Sequence, residues 1–180
     1  MDIEAMNCFL SRENIEKHLE HVRQARLRLS VLEKSFPCIS GAKIAEIKNA
    51  NIDRKAKGEA LWLKKYVKSH ELFFNSFSLN GGRCEKIKKY YSSREGLIYE
   101  IFRVAREMDS GFLFVYIDGK RGPKIDFSSD LSAPFTKYEP NLALDLYEHT
   151  YFADYGFLKD KFLKNALSYF NIEAIDAKLS

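Results

Sequence analysis

Apolar residues recur at a helical interval through the first part of the chain. Behind Ser11, a ready N-cap with Glu13 in the first turn, come Ile15, Leu19, Val22, Leu27, Leu29 and Leu32. This spacing predicts one long helix from about Ser11 to Ser35. Phe36-Pro37 and Gly41 break it. A second helical stretch starts near Ala42 and continues, kinked around Lys57-Gly58, to about Phe77, so the two segments form an antiparallel helical hairpin.

Asn80-Gly81-Gly82 is a turn signal, followed by a short Lys-rich helix from Cys84 to Tyr91 and another from about Arg94 to Met108. The period then changes from helical to extended. An aromatic and β-branched run from Phe112 to Asp118, then Lys124 to Phe127 and Leu142 to Tyr147, predict three short strands. Asp118-Gly119 marks a hairpin, and the Lys-Arg-Gly-Pro after it makes the loop longer than two residues. From Phe157 to Leu179 the pattern returns to helix, with Phe162, Ala166, Tyr169 and Phe170 on one face. The expected fold class is α+β: an N-terminal antiparallel helical hairpin domain, residues 1–82, then a C-terminal α+β domain, residues 83–180, with a small three-stranded antiparallel sheet flanked by helices. The chain carries no internal repeat and no low-complexity segment.

Composition narrows the class. With 46% hydrophobic and 14% aromatic residues, the chain has enough apolar surface to bury a packed core and does not read as a disordered tail. The net charge of +4 is spread along the sequence, which argues against a nucleic-acid arm. Its densest runs, Arg54 to Lys57 and Lys86 to Lys89, mark solvated helix faces or, functionally, attraction of a small anion. Cys8, Cys38 and Cys84 have no paired spacing, so a reducing compartment is expected. The acidic amino terminus has neither an apolar signal core nor an Arg-rich transit pattern. The cytoplasm is therefore the expected location, with a mitochondrial-type organelle left open. No apolar run approaches the ~20 residues of a membrane span, so no membrane partner is expected.

The histidines carry the chemistry. The chain has only 4, and His18, His70 and His149 combine with Asp145 into a candidate site of three imidazoles and one carboxylate. Such donors suit Mn, Fe or Zn, while the cysteines lie too far apart for a thiolate site. The competing reading is that a lone helical His is surface or satisfied core and that Asp-x-x-x-His arises by chance. On the predicted elements His18 and His70 sit on the two hairpin helices, and Asp145 and His149 leave the last strand. A metal would then clamp the two halves together.

Three stretches resemble the iron/manganese superoxide dismutase family: Leu10 to His18, Ser69-His70-Glu-Leu-Phe-Phe74, and Asp145-Leu-Tyr-Glu-His149-Thr-Tyr151, the last being similar to the family's Asp-x-Trp-Glu-His-x-Tyr signature. Asn80-Gly81-Gly82 and Ser110-Gly111-Phe112 add to it. The resemblance implies one Mn or Fe ion per subunit, held by His18, His70, Asp145 and His149, with water or hydroxide as a fifth ligand. Superoxide anion is then the substrate and is disproportionated to dioxygen and hydrogen peroxide, with the protein tuning the ion's potential. Glu148 corresponds to the residue that bridges to the partner subunit's histidine ligand, which implies a homodimer. Phe112, Phe114 and Tyr147 stand at Trp positions around the cavity, aromatic for aromatic.

Departures from the family cluster around the ligands. A histidine and a tyrosine that follow the first ligand are here Val22 and Arg26, and His21 lies about 100° round the helix from Val22. The tyrosine that meets that histidine across the dimer is Phe152, so both partners of one polar contact have become apolar together. Losing both costs far less than stranding one, about 1–3 kcal/mol. The glutamine that orients the bound solvent is Tyr66 at one possible position and Ser129 or Asp130 at the other. The amino terminus also starts later than is usual, without a short strand-like anchor.

Arg26, bordering the funnel and attracting the anion, and Tyr147 are the candidate catalytic side chains. The other reading of Arg26 is that it pairs with a surface carboxylate. The alternative function is a non-enzymatic structural or assembly protein on the same fold, like an organellar ribosome subunit; a further one is a different metal enzyme using the same site.

Overall fold

The computed structural model describes residues 1–79, 84–129 and 139–179. Asp2 caps a short helix α1 (Ile3–Asn7), whose Ala5 and Met6 are fully buried, so a helical turn anchors the amino terminus. Ser11 then caps α2 (Arg12–Ser35), its hydroxyl accepting from the Asn14 N–H at 3.2 Å. Ile15, His18, Val22, Ala25 and Leu29 form the buried stripe of α2, with the i, i+3, i+4 spacing of a helix packed on one side.

The second arm of the hairpin differs from the expectation. It is two helices, α3 (Ile44–Asn49) and α4 (Arg54–Phe74), and the break falls at residues 50–53 instead of at Gly58. Asp53 decides the point: its carboxylate accepts from the N–H groups of Lys55 and Ala56, both at 3.0 Å, and starts α4 there. Gly58 lies inside α4 without kinking it, because the buried stripe of Ala56, Ala60, Leu63 and Val67 holds the helix against α2. The two arms run antiparallel: Arg28 reaches Glu59 near the start of α4, and His18 meets His70 near its end.

Later elements are shortened by contacts with distant residues. The helix expected from Cys84 is confined to α5 (Lys88–Tyr91), since the Ile87 N–H donates to the Asp176 carboxylate at 2.7 Å. Helix α6 (Arg94–Glu107) follows as predicted. The strands β1 (Phe112–Ile117), β2 (Pro123–Ser128) and β3 (Leu142–Asp145) form one antiparallel sheet in the order β2-β1-β3. Central β1 buries Phe112, Leu113, Phe114 and Val115 completely, so both faces of the sheet are covered. Gly111 precedes it at φ +126, where an added Cβ would stand 2.6 Å from the Ser128 carbonyl oxygen.

The third strand ends at Asp145, two residues before Tyr147, and the chain turns into α7 (Glu148–Tyr155). The tail divides into α8 (Lys159–Ser168) and α9 (Glu173–Asp176), not one helix. Between them Phe170 bridges to Phe77, and the Asn171 N–H donates to the Ser76 carbonyl at 2.9 Å. Ser76 also ties α4 to the sheet, its hydroxyl donating to the Leu72 carbonyl and accepting from the Ala143 N–H at 2.8 Å. One large core joins α1, α2, α4, α6, the sheet and α8. The architecture is the expected α+β class, helices first and then a three-stranded antiparallel sheet with helices. The Asn80-Gly81-Gly82 turn, the 82/83 domain boundary and Asp130 lie outside the described residues. None of the described helices is long and apolar enough to cross a membrane.

A continuous α4 makes Gly58 a cost rather than a hinge, and an added Cβ there meets nothing within 4 Å. Gly58→Ala is expected to stabilise the protein by about 0.5–1 kcal/mol, and Asp53→Ala to destabilise it by about 1 kcal/mol. Both are read as urea midpoints at unchanged m-value; a destabilised Gly58→Ala chain would contradict the unbroken helix.

Candidate metal centre

Four elements converge at the junction of hairpin and sheet. His18 projects from the buried stripe of α2, His70 from that of α4, Asp145 ends β3, and His149 is the second residue of α7. Asn14, one helical turn before His18, locks α2 to α7: its amide donates to the Thr150 carbonyl at 2.9 Å and to the Asp154 carboxylate at 3.0 Å. The Ser11 N–H donates to the same carboxylate at 2.9 Å. Asn14 was not among the expected site residues, although its register four residues before His18 places it on the inner face.

Oδ2 of Asp145 lies 3.3 Å from Nε2 of His18, 3.4 Å from Nε2 of His70 and 3.5 Å from Nε2 of His149. One atom from each of the four side chains falls within a 4.8 Å group. The Nε2 atoms of His18 and His70 and Oδ2 of Asp145 are buried without a hydrogen-bond partner. Left that way, each would cost about 1–3 kcal/mol. Ligand bonds of about 2.0–2.2 Å at angles of 90–120° put neighbouring donor atoms roughly 3.0–3.7 Å apart. The donor set therefore fits a divalent or trivalent ion, with its unpaired atoms spaced as the edges of a coordination shell.

The remaining atoms orient these donors. Nδ1 of His70 is 2.7 Å from the Tyr66 carbonyl oxygen, which places the proton on Nδ1 and leaves the Nε2 lone pair free. Oδ1 of Asp145 accepts from the Tyr147 N–H at 2.9 Å, leaving Oδ2 for the centre. Burial pushes the His70 imidazole down to about 4, against the opposing pull of Asp145. Burial opposes ionisation of Asp145, but the imidazoles of His149, His18 and His70 overcome it and hold the carboxyl well below the usual carboxylate range. Burial, with Asp145 and Tyr147 nearby, pushes the Tyr66 phenol up to about 12.

Aromatic rings wall the site. Phe73 and Phe74 pack on His18 at 5.4 and 5.2 Å, Phe112 on His70 at 5.0 Å, Tyr147 on His149 at 5.7 Å and Tyr66 on His70 at 4.0 Å. Phe112 also touches Phe114 and Tyr147, so the three expected wall residues are contiguous. The Tyr147 hydroxyl donates to the Ser129 carbonyl at 2.6 Å.

The other expected residues fall outside the ligand cluster. Val22 is buried one turn beyond His18, while Glu148 and Phe152 are exposed on α7. Tyr151 is buried and stacks on Phe162 at 5.0 Å, away from the histidines. His21 is exposed, but its ring lies 6.1 Å from that of His149. Arg26 is 2.7 Å from Glu71 in an exposed ion pair, the arrangement foreseen in the surface-carboxylate reading.

A family model described as iron/manganese superoxide dismutases, C-terminal domain, matches residues 80–178, more than half of the chain and inclusive of Asp145 and His149. No curated protein matches the chain.

His70 gives the metal-free site a pH signature. Its folded value of about 4 lies below the unfolded 6.5, so between the two the unfolded chain binds the extra proton. The metal-free protein should lose stability as pH falls from 6.5 to about 4, by up to roughly 3 kcal/mol, and His70→Phe should lack that slope. A urea midpoint level across this window in the wild-type chain would show that His70 is not held neutral.

Proposed function

Because the chain belongs to the iron/manganese superoxide dismutase family, we propose that it disproportionates superoxide to dioxygen and hydrogen peroxide at one Mn or Fe ion per subunit. The observation that carries the reading is the Asp145 oxygen, buried and unpartnered, with three imidazole nitrogens 3.3–3.5 Å away. The ion, when bound, supplies the one-electron redox step.

The chain's own residues do the rest. Asp145 brings a negative charge and the histidines bring neutral nitrogens, a set that partly offsets the ion's charge and holds its potential. The wall of Phe73, Phe74, Phe112 and Tyr147 restricts water around the donors. Arg26 has its charge paired with Glu71 and is a weaker attractor of the anion than a free guanidinium would be.

A homodimer is part of the reading. Glu148, Phe152, Phe157 and Leu158 are all exposed on and just after α7, and Phe152 stacks on Phe157 at 5.3 Å. A second copy covering this face would enclose His149 and bury those apolar rings, with Glu148 of each copy facing His149 of the other. Phe152 offers an apolar ring to such a contact, while Val22 is already buried within the chain. The described cysteines are all free, as in a reducing compartment, which we take to be the cytoplasm.

The structural or assembly reading draws on the absence of His, Tyr and Gln at Val22, Arg26 and Tyr66. The dismutation rate per bound ion, measured on separately Mn-loaded and Fe-loaded protein, decides between the two. A high rate with one metal is expected, and loss of both metal and rate in His70→Ala. Metal bound without activity would overturn the enzyme reading. Arg26→Ala should leave the ionic-strength dependence of the rate unchanged; a lost dependence would return Arg26 to the funnel.

A further inference from the structure

We propose a second binding site, separate from the metal centre: the groove between α6 and α8 takes the hydrocarbon chain of an aliphatic monocarboxylate, with the carboxylate on Arg94. The inference does not depend on the metal-centre reading, since none of the lining residues belongs to the four donors.

The two helices run antiparallel and stay apart over part of their length. At the start of α6 the Arg94 guanidinium donates to the Phe170 carbonyl, just past the end of α8, at 3.3 Å. Further along, the Lys164 ammonium of α8 stands 6.0 Å from the centre of the Phe102 ring, and Arg106 meets Asp160 at 3.2 Å. Between the Arg94 and Lys164 contacts lies a space of about 550 Å³, within the ~300–1,000 Å³ of small-molecule sites. Its apolar lining is Leu167, which is buried, Ile98 and Phe102, which are half-buried, and Tyr99, which is 68% exposed. A hydrocarbon chain laid there leaves water and covers the Tyr99 ring.

Charge selects the head group. Later arginines of α6 are neutralised, Arg103 by Glu100 at 2.7 Å and Arg106 by Asp160. Arg94 is half-buried and has no ion-pair partner among the described residues, and the neighbouring acid Glu95 is hydrogen-bonded to Ser93. The planar guanidinium has donors to spare beyond the Phe170 carbonyl, and its fork matches the two oxygens of a carboxylate. Lys164 adds a second positive charge at the other end, so the groove favours an anion over a neutral or cationic amphiphile. Length separates this occupant from a protein partner. Arg94 to Phe102 covers about 12 Å of helix, room for one short chain, whereas a stable protein interface takes about 800 Å² from each side.

Octanoate, 1-octanol and acetate titrated calorimetrically into the full chain at neutral pH test the site. Octanoate should bind saturably and about tenfold or more tighter than either of the others, because only it offers both chain and charge. Arg94→Gln should weaken octanoate about tenfold or more and leave 1-octanol unchanged. Tyr99→Ala, at an exposed position that spares the core, should weaken both. Arg94→Lys keeps the charge without the fork and should bind octanoate more weakly than wild type, which carries the test if Arg94→Gln does not fold. Octanoate bound no better than 1-octanol, or undiminished in the Arg94 variants, would overturn the carboxylate assignment. Affinity untouched in Tyr99→Ala would place octanoate outside the groove. Self-association abolished by Tyr99→Ala, with no octanoate bound, would give the groove to a second copy of the chain instead.

Discussion

A buried carboxylate oxygen cannot stand alone, and Asp145 Oδ2 organises this protein around that constraint. Asp145 is fully enclosed, and its free oxygen faces imidazole nitrogens from α2, α4 and α7. Burying an uncompensated charge costs many kcal/mol, so the positions of three helices relative to β3 are tied to how that charge is met. Each supporting contact serves the same end. Asn14 fixes α2 to α7, Ser76 fixes α4 to β3, and the Tyr147 N–H holds the other Asp145 oxygen out of the way.

The same constraint sets the four donors apart from the residues around them. Replacing a ligand would leave the other buried donors unsatisfied. Val22 and Phe152, by contrast, are apolar and leave no polar side-chain atom to satisfy. Tyr66 packs its ring on His70 and so braces that imidazole.

Legibility varied by element, for physical reasons. The N-cap at Ser11, the stripe through His18, the helix after Arg94 and the core of β1 depend on neighbours within a few residues, and each appears where the periodicity put it. Gly58 misled because glycine's local cost was outweighed by packing of α4 against α2, whereas Asp53, an effective cap, was overlooked. Helix α5 and the tail were overextended because Asp176 and Ser76 take backbone N–H groups from far along the chain. Helix α7, with Glu148 and His149 at its start, falls between the strand expected to end at Tyr147 and the helix expected from Phe157.

By itself the sequence determined which residues could face a common core and which four could share a metal, because side-chain chemistry and helical or strand period are local properties. Only the tertiary structure decided that three nitrogens meet one oxygen at 3.3–3.5 Å, that Arg26 pairs with Glu71, and that the Tyr66 ring packs on His70. Those outcomes depend on groups dozens of residues apart satisfying one another in the absence of water. No local pattern encodes that condition.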